Sequence, residues 1–206
     1  MNDQVKSGAT KLEGDGKRIL MIIGSPKRTS LCHAIADAWT AGARSQGHIV
    51  RQLRLNEMTF NPVLHDGYEK SQTLEPDLLE AQRQIHWAEH LVIAYPVWWG
   101  GMPALLKGFF DRAFLPGFAF KYRNDSPDWD KLLSGRTADI IVTMDTPAWY
   151  FRWIYGAPGH RQLKRTILGF SGIKTLHLHE FSPLRRSTEE QRLKWLTQAE
   201  KAGRQV

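Results

Sequence analysis

Cysteine is almost missing from this chain of 206 residues, which carries only Cys32. One thiol excludes an intrachain disulfide framework and fits a reducing compartment, so the chain reads as cytoplasmic. No apolar run approaches the roughly 18 residues that span a bilayer, which argues against membrane insertion. Residues 1–16 lack the apolar centre of a secretory signal and read as a loose tail before one domain over 17–206. Basic residues exceed acidic ones, 28 to 21, for a net charge of +7. Yet they are scattered, with no block of about five like charges and no helix-turn-helix, RRM or zinc-finger signature. Nucleic acid is therefore not an expected partner. Neither a Walker loop nor the G-x-G-x-x-G of dinucleotide-binding folds is present, which disfavours a nucleoside triphosphatase or an NAD-binding Rossmann domain. His177 and His179 share one face of a strand, and His86 and His90 lie four apart. Neither pair has a third ligand in reach by sequence, so no metal site is expected.

What the chain does have is concentrated between Leu91 and Gly117. Leu91-Val92-Ile93-Ala94-Tyr95 is an unbroken apolar run stopped by Pro96, as in a strand buried on both faces of a parallel sheet. Met102, Leu105, Leu106, Phe109, Phe110, Ala113 and Phe114 then recur on a 3.6-residue period, with Pro103 suited to the first helical position. Between them lies Val97-Trp98-Trp99-Gly100-Gly101. Core packing does not call for two indoles at the carboxyl end of a strand, so this loop is a candidate ligand contact.

The same strand–loop–helix pattern opens the chain. Residues 19–23 form an apolar strand, Gly24 to Ser30 a polar loop, and Leu31, Ile35, Ala38 and Trp39 one face of a helix, with Thr29 and Ser30 as N-cap candidates. Residues 48–55 alternate, Pro76 opens a helix with Leu78, Ala81, Ile85 and Ala88 inward, and 138–144 is a third apolar strand. Pro158 to Phe170 reads as helix ending near Gly172, 173–181 alternates, and Ser187-Thr188-Glu189-Glu190 carries a capping-box pattern into a last helix. Five strands alternating with five helices predict a parallel sheet covered on both faces. Fully apolar strands belong inside and alternating ones at the edges, which the order 2-1-3-4-5 satisfies. In such a sheet the ligand lies beyond the carboxyl ends of strands 1 and 3, where Gly24–Ser30 and Pro96–Gly101 are expected. Ser25 to Cys32 supplies hydroxyls and free N–H groups at a helix N-terminus, suited to a phosphate.

Three stretches together resemble the flavodoxin-like NAD(P)H:quinone oxidoreductase family, which includes azoreductases and potassium-efflux-associated quinone reductases. They are Gly24-Ser25-Pro26-Lys27-Arg28-Thr29-Ser30, the block from Tyr95 to Arg112, and Gly117-Phe118-Ala119-Phe120. The resemblance implies an α/β three-layer sandwich of flavodoxin-like type, a bound FMN or FAD (FMN slightly favoured), NAD(P)H as donor, a quinone-like acceptor and a homodimer. It implies flavin-phosphate contacts from Ser25, Thr29, Ser30, Leu31 and Cys32, and ring contacts from Val97, Trp98, Trp99 and Gly100. It implies a third loop at Thr143, Met144, Asp145 and Thr146, where relatives carry glycines and this chain does not. Tyr150 or Tyr155 takes the place of a tyrosine that assists hydride transfer, whereas His160 matches the family's histidine poorly. The reaction implied is two-electron reduction by a ping-pong mechanism. The altered third loop leaves an alternative, a flavin-binding regulator or sensor with little turnover.

Overall fold

The computed structural model describes residues 16–124 and 126–206. The expected N-terminal tail, Gly16 excepted, therefore lies outside the described residues. The principal sheet has five strands: β1 (Arg18–Ile23), β2 (Ile49–Arg54), β3 (His90–Pro96), β6 (Thr137–Thr143) and β7 (Lys174–Phe181). Their order is β2-β1-β3-β6-β7, and every neighbouring pair is parallel. This is the expected 2-1-3-4-5 arrangement, with β4 (Phe120–Tyr122) and β5 (Trp129–Lys131) set aside as a separate antiparallel hairpin.

Strand alternation divides the core into two layers. Leu20, Ile22, Leu91, Ile93, Tyr95, Ile140 and Val142 face one side, packing with α2 (Pro76–Trp87) and α3 (Ala104–Ala113). Ile19, Met21, Ile23, Val92, Ala94 and Ile141 face the other, under α1 (Leu31–Ser45) and the last helix, α6 (Glu189–Gly203). Each fully buried aliphatic side chain contributes roughly 1.5–3 kcal/mol, so the three central strands anchor both layers. A Cβ on Gly42 would stand 2.0 Å from the Glu200 carbonyl oxygen, and one on Gly203 2.0 Å from that of Trp39. Only glycine permits α1 and α6 to cross so closely.

The helix starts differ in detail from expectation. Pro103 occupies the N-cap rather than the first helical position, because α3 begins one residue later. The cap of α6 is Thr188, which accepts from the Gln191 N–H at 3.2 Å, so the cap lies one residue on from Ser187. The helix expected from Pro158 exists as α5 (158–171), but its middle, Gln162–Leu168, is wound as a π-helix. It ends at Gly172 with φ 93°. The long connection before α2 is clamped by buried Arg112, which donates to the carbonyls of Asn61 (2.5 Å) and Thr73 (3.0 Å) and to Glu75 Oε2 (2.8 Å).

Candidate functional site

The carboxyl ends of β1, β3 and β6 open onto one crevice with two adjoining lobes. The first, of about 280 Å³, is lined by Ser25, Lys27, Thr29, Ser30, Leu31, Cys32, Pro96, Val97, Trp98, Thr143, Met144, Asp145 and Leu184. The second, of about 500 Å³, is lined by Val97, Trp99, Gly100, Met144, Asp145, Thr146, Phe151, Tyr155 and Pro158. Val97, Met144 and Asp145 belong to both. The loops after β1 and β3 thus meet over the sheet, at the switch point where open α/β sheets receive ligands.

The first lobe is built on the start of α1. Ser30 holds the N-cap position in extended geometry, but its side chain makes no cap hydrogen bond. Its Oγ instead lies 3.3 Å from Ser25 Oγ and 2.8 Å from His33 Nδ1. The expected side-chain cap is therefore absent, and the positive end of the helix is left to whatever enters the lobe. Cys32 contributes an inert wall: burial pushes its thiol up to about 12, and the neighbouring Thr143 hydroxyl offsets that rise only in part. The Thr143 Oγ1 is itself buried without an oxygen or nitrogen partner.

A tight turn builds the second lobe. Trp98 and Gly101 exchange main-chain hydrogen bonds at 2.9 and 3.0 Å. The two residues between them, Trp99 (φ 51°) and Gly100 (φ 78°), are both left-handed, the type I′ geometry. Trp99 is fully exposed and Trp98 43% exposed. The Val97 N–H donates to the Thr143 carbonyl at 2.8 Å, tying the end of β3 to that of β6. From α4 (Ala148–Trp153), buried Phe151 supplies the lobe's floor. Tyr155 follows as an exposed side wall.

Every flavin-contact residue expected from the resemblance lines one lobe or the other. Of the two tyrosines, Tyr155 lines the second lobe, whereas Tyr150 packs edge-on against Tyr155 at 5.2 Å and is not part of the lining. His160 is buried against Phe151, ring centroids 4.9 Å apart. Desolvation lowers its pKa to about 4, and neither ring nitrogen has a partner. Lys27, Pro96, Phe151, Pro158 and Leu184 join the lining beyond those expected. Lys27 and Pro96 belong to the two loop motifs themselves. Leu184 comes from a loop after β7 that no local pattern connects to the crevice.

The parts suit a phosphorylated flat ring: hydroxyls and an uncapped helix N-terminus in one lobe, and an apolar, aromatic second lobe. Ser25, Thr29 and Ser30 would hold the phosphate, and Val97, Trp98, Trp99 and Gly100 the ring.

Comparison with known proteins finds relatives by sequence and by fold. The chain is 27% identical over 126 residues to NAD(P)H dehydrogenase (quinone) 1 of Rattus norvegicus, covering 52% of this chain and 46% of that protein. It spans about half the length of that curated relative. The structure of Smu.1420 from Streptococcus mutans UA159 superposes with a TM-score of 0.77 at 28% identity, over 91% of this chain and 99% of that one. An FMN-dependent NADH-azoreductase from Bacillus anthracis, solved in complex with FMN, shares the fold with a TM-score of 0.71 at 19% identity, over 92% and 98% of the two chains. Residues 17–203 match the Flavodoxin_2 family, described as a flavodoxin-like fold, and the chain belongs to that family.

Proposed function

We propose that this chain is a flavin-dependent NAD(P)H oxidoreductase that reduces quinones or similar flat aromatic acceptors by two electrons in a ping-pong cycle. The observation that carries the reading is the single crevice in which a hydroxyl-lined helix N-terminus adjoins an aromatic lobe. The rat quinone dehydrogenase and the FMN-bound azoreductase support the same chemistry.

A bound flavin, with FMN slightly favoured over FAD, supplies the hydride-accepting ring. The residues of this chain do the rest. Ser25, Thr29, Ser30 and the first N–H groups of α1, at Leu31 and Cys32, hold the phosphate, each charge-assisted bond being stronger than a neutral one. Of the backbone N–H groups from Trp98 to Gly100, that of Trp98 is spent on the Gly101 carbonyl, and those of Trp99 and Gly100 would stabilise negative charge on the ring. Trp99, Phe151 and Tyr155 line an open slot in which a nicotinamide and then a quinone would stack in turn. Tyr155, which lines the second lobe, would pass a proton to the acceptor, and Tyr150 packs edge-on against its ring. The protein works as a homodimer in the cytoplasm, and its basic surface draws anionic dinucleotides toward the crevice. Among the described residues no helix is long and apolar enough to cross a membrane.

The test is direct. The ligand released from purified protein is identified by mass spectrometry, the protein is loaded with FMN, and oxidation of NADH and NADPH is followed with a benzoquinone. Parallel-line kinetics with bound flavin support the reading; no oxidation with any quinone removes it. The second reading, a flavin-binding sensor with little turnover, rests on Asp145 in the glycine-free third loop. Tight flavin binding with a negligible steady-state rate would establish it instead.

A further inference from the structure

Asp145 is the one carboxylate among the residues lining the crevice, and it stands in both lobes. Its placement is fixed by the main chain. Oδ1 accepts from the Arg185 N–H at 2.8 Å. The adjoining Met144 donates to the Phe181 carbonyl at 3.1 Å and accepts from the Leu184 N–H at 3.0 Å. Among the described residues Asp145 forms no ion pair, and Arg152, on the neighbouring helix, is paired with Glu180. Lys27, in the first lobe, is the one lysine or arginine among the described lining residues. A negative charge is therefore held at the junction of the lobes by a neutral backbone donor.

We propose that Asp145 sets the reduction potential of the flavin, an inference that rests on the flavin-dependent reading above. A hydride carries one proton and two electrons. When it leaves C4 of the reduced nicotinamide for a neutral ring, the nicotinamide departs as the cation and the ring gains one negative charge. A fixed carboxylate beside the ring disfavours that charge and lowers the potential. Delivery of the hydride to a quinone, which takes one further proton from Tyr155 (replenished from solvent) to become the hydroquinone, removes the charge and is favoured correspondingly. Asp145 thus makes the reduced protein a stronger hydride donor. Because Asp145 is exposed, the interaction is a screened one and weakens with salt.

The test uses the FMN-loaded protein, Asp145→Asn and Asp145→Ala, each equilibrated with a reference dye of known potential. Asp145→Asn keeps an oxygen for the Arg185 N–H while losing the charge; Asp145→Ala loses both. The expected result is that both variants favour the reduced form by about tenfold, equivalent to about 30 mV for a two-electron couple, and that the difference shrinks at high salt. Equal potentials for wild type and Asp145→Asn, with FMN bound to both, overturn the proposal while leaving the flavin reading intact. A shift in Asp145→Ala alone assigns the residue to holding the loop and equally overturns it. Tighter FMN binding by Asp145→Asn at an unchanged potential assigns it to repelling the phosphate, and the proposal falls in that case too. Failure of the wild-type protein to bind FMN removes the flavin reading, and this one with it.

Discussion

The Gly159 N–H donates to the Gly100 carbonyl across 2.9 Å, joining the start of α5 to the turn that follows β3. A Cβ at position 159 would stand 2.8 Å from that same oxygen and 2.8 Å from Gly101 Cα. The neighbour in each case is backbone, which gives way only by moving the turn. Gly159→Ala is expected to cost about 1–3 kcal/mol, as overpacking does, measurable by urea denaturation. It should also weaken FMN binding, followed by flavin fluorescence, because the displaced turn carries the ring contacts. An unchanged midpoint and affinity would show that the contact does not position the turn.

Trp99 holds φ at 51° although it is not glycine, a conformation costing an L-residue roughly 1–2 kcal/mol. Its side chain is fully exposed, so packing within the chain does not repay that cost. Trp99→Asn, which tolerates left-handed geometry, should raise stability by up to about 1 kcal/mol while raising the KM for the quinone. A drop in melting temperature would show that the indole stabilises the fold in some other way.

Ser30 occupies the cap position without capping, so Ser30→Ala forfeits no cap, but it loses the side-chain bond to His33 Nδ1, a cost of about 0.5–1.5 kcal/mol. If its hydroxyl meets the flavin phosphate, the loss of a bond to a charged group, about 1.5–3 kcal/mol, appears in affinity instead. FMN binding weakened tenfold or more, with a melting curve lowered only slightly, is the expected pair of results. The reverse pair would make Ser30 structural.

His90 is buried between β3, β6 and Trp39, with Nδ1 2.8 Å from Thr137 Oγ1. Burial lowers its pKa to about 4, partly opposed by Asp139. The folded chain therefore keeps His90 neutral where the unfolded chain binds a proton. The stability it confers is complete above the ordinary value of 6.5 and is lost as pH falls from there toward about 4. The loss amounts to at most about 3 kcal/mol. His160 titrates in the same direction. His90→Gln should flatten, without abolishing, the decline in unfolding free energy across that pH interval; an identical slope in both proteins would refute the assignment.

The layers of the fold were legible in the residues because burial leaves a periodic mark. Strands covered on both faces are apolar throughout, as at 19–23, 91–95 and 138–144, and the apolar stripes of α2 and α3 repeat every 3.6 residues. From those marks followed the strand order, and from the strand order the two loops at the switch point. Tertiary contact alone decided the rest. The π-wound middle of α5, the choice of Tyr155 rather than Tyr150 as lining, the arrival of Leu184 and Pro158, and the backbone grip on Asp145 involve partners far apart in the chain. Periodicity reports which way a side chain faces within its own element, whereas these features depend on distances between elements, which no local pattern encodes.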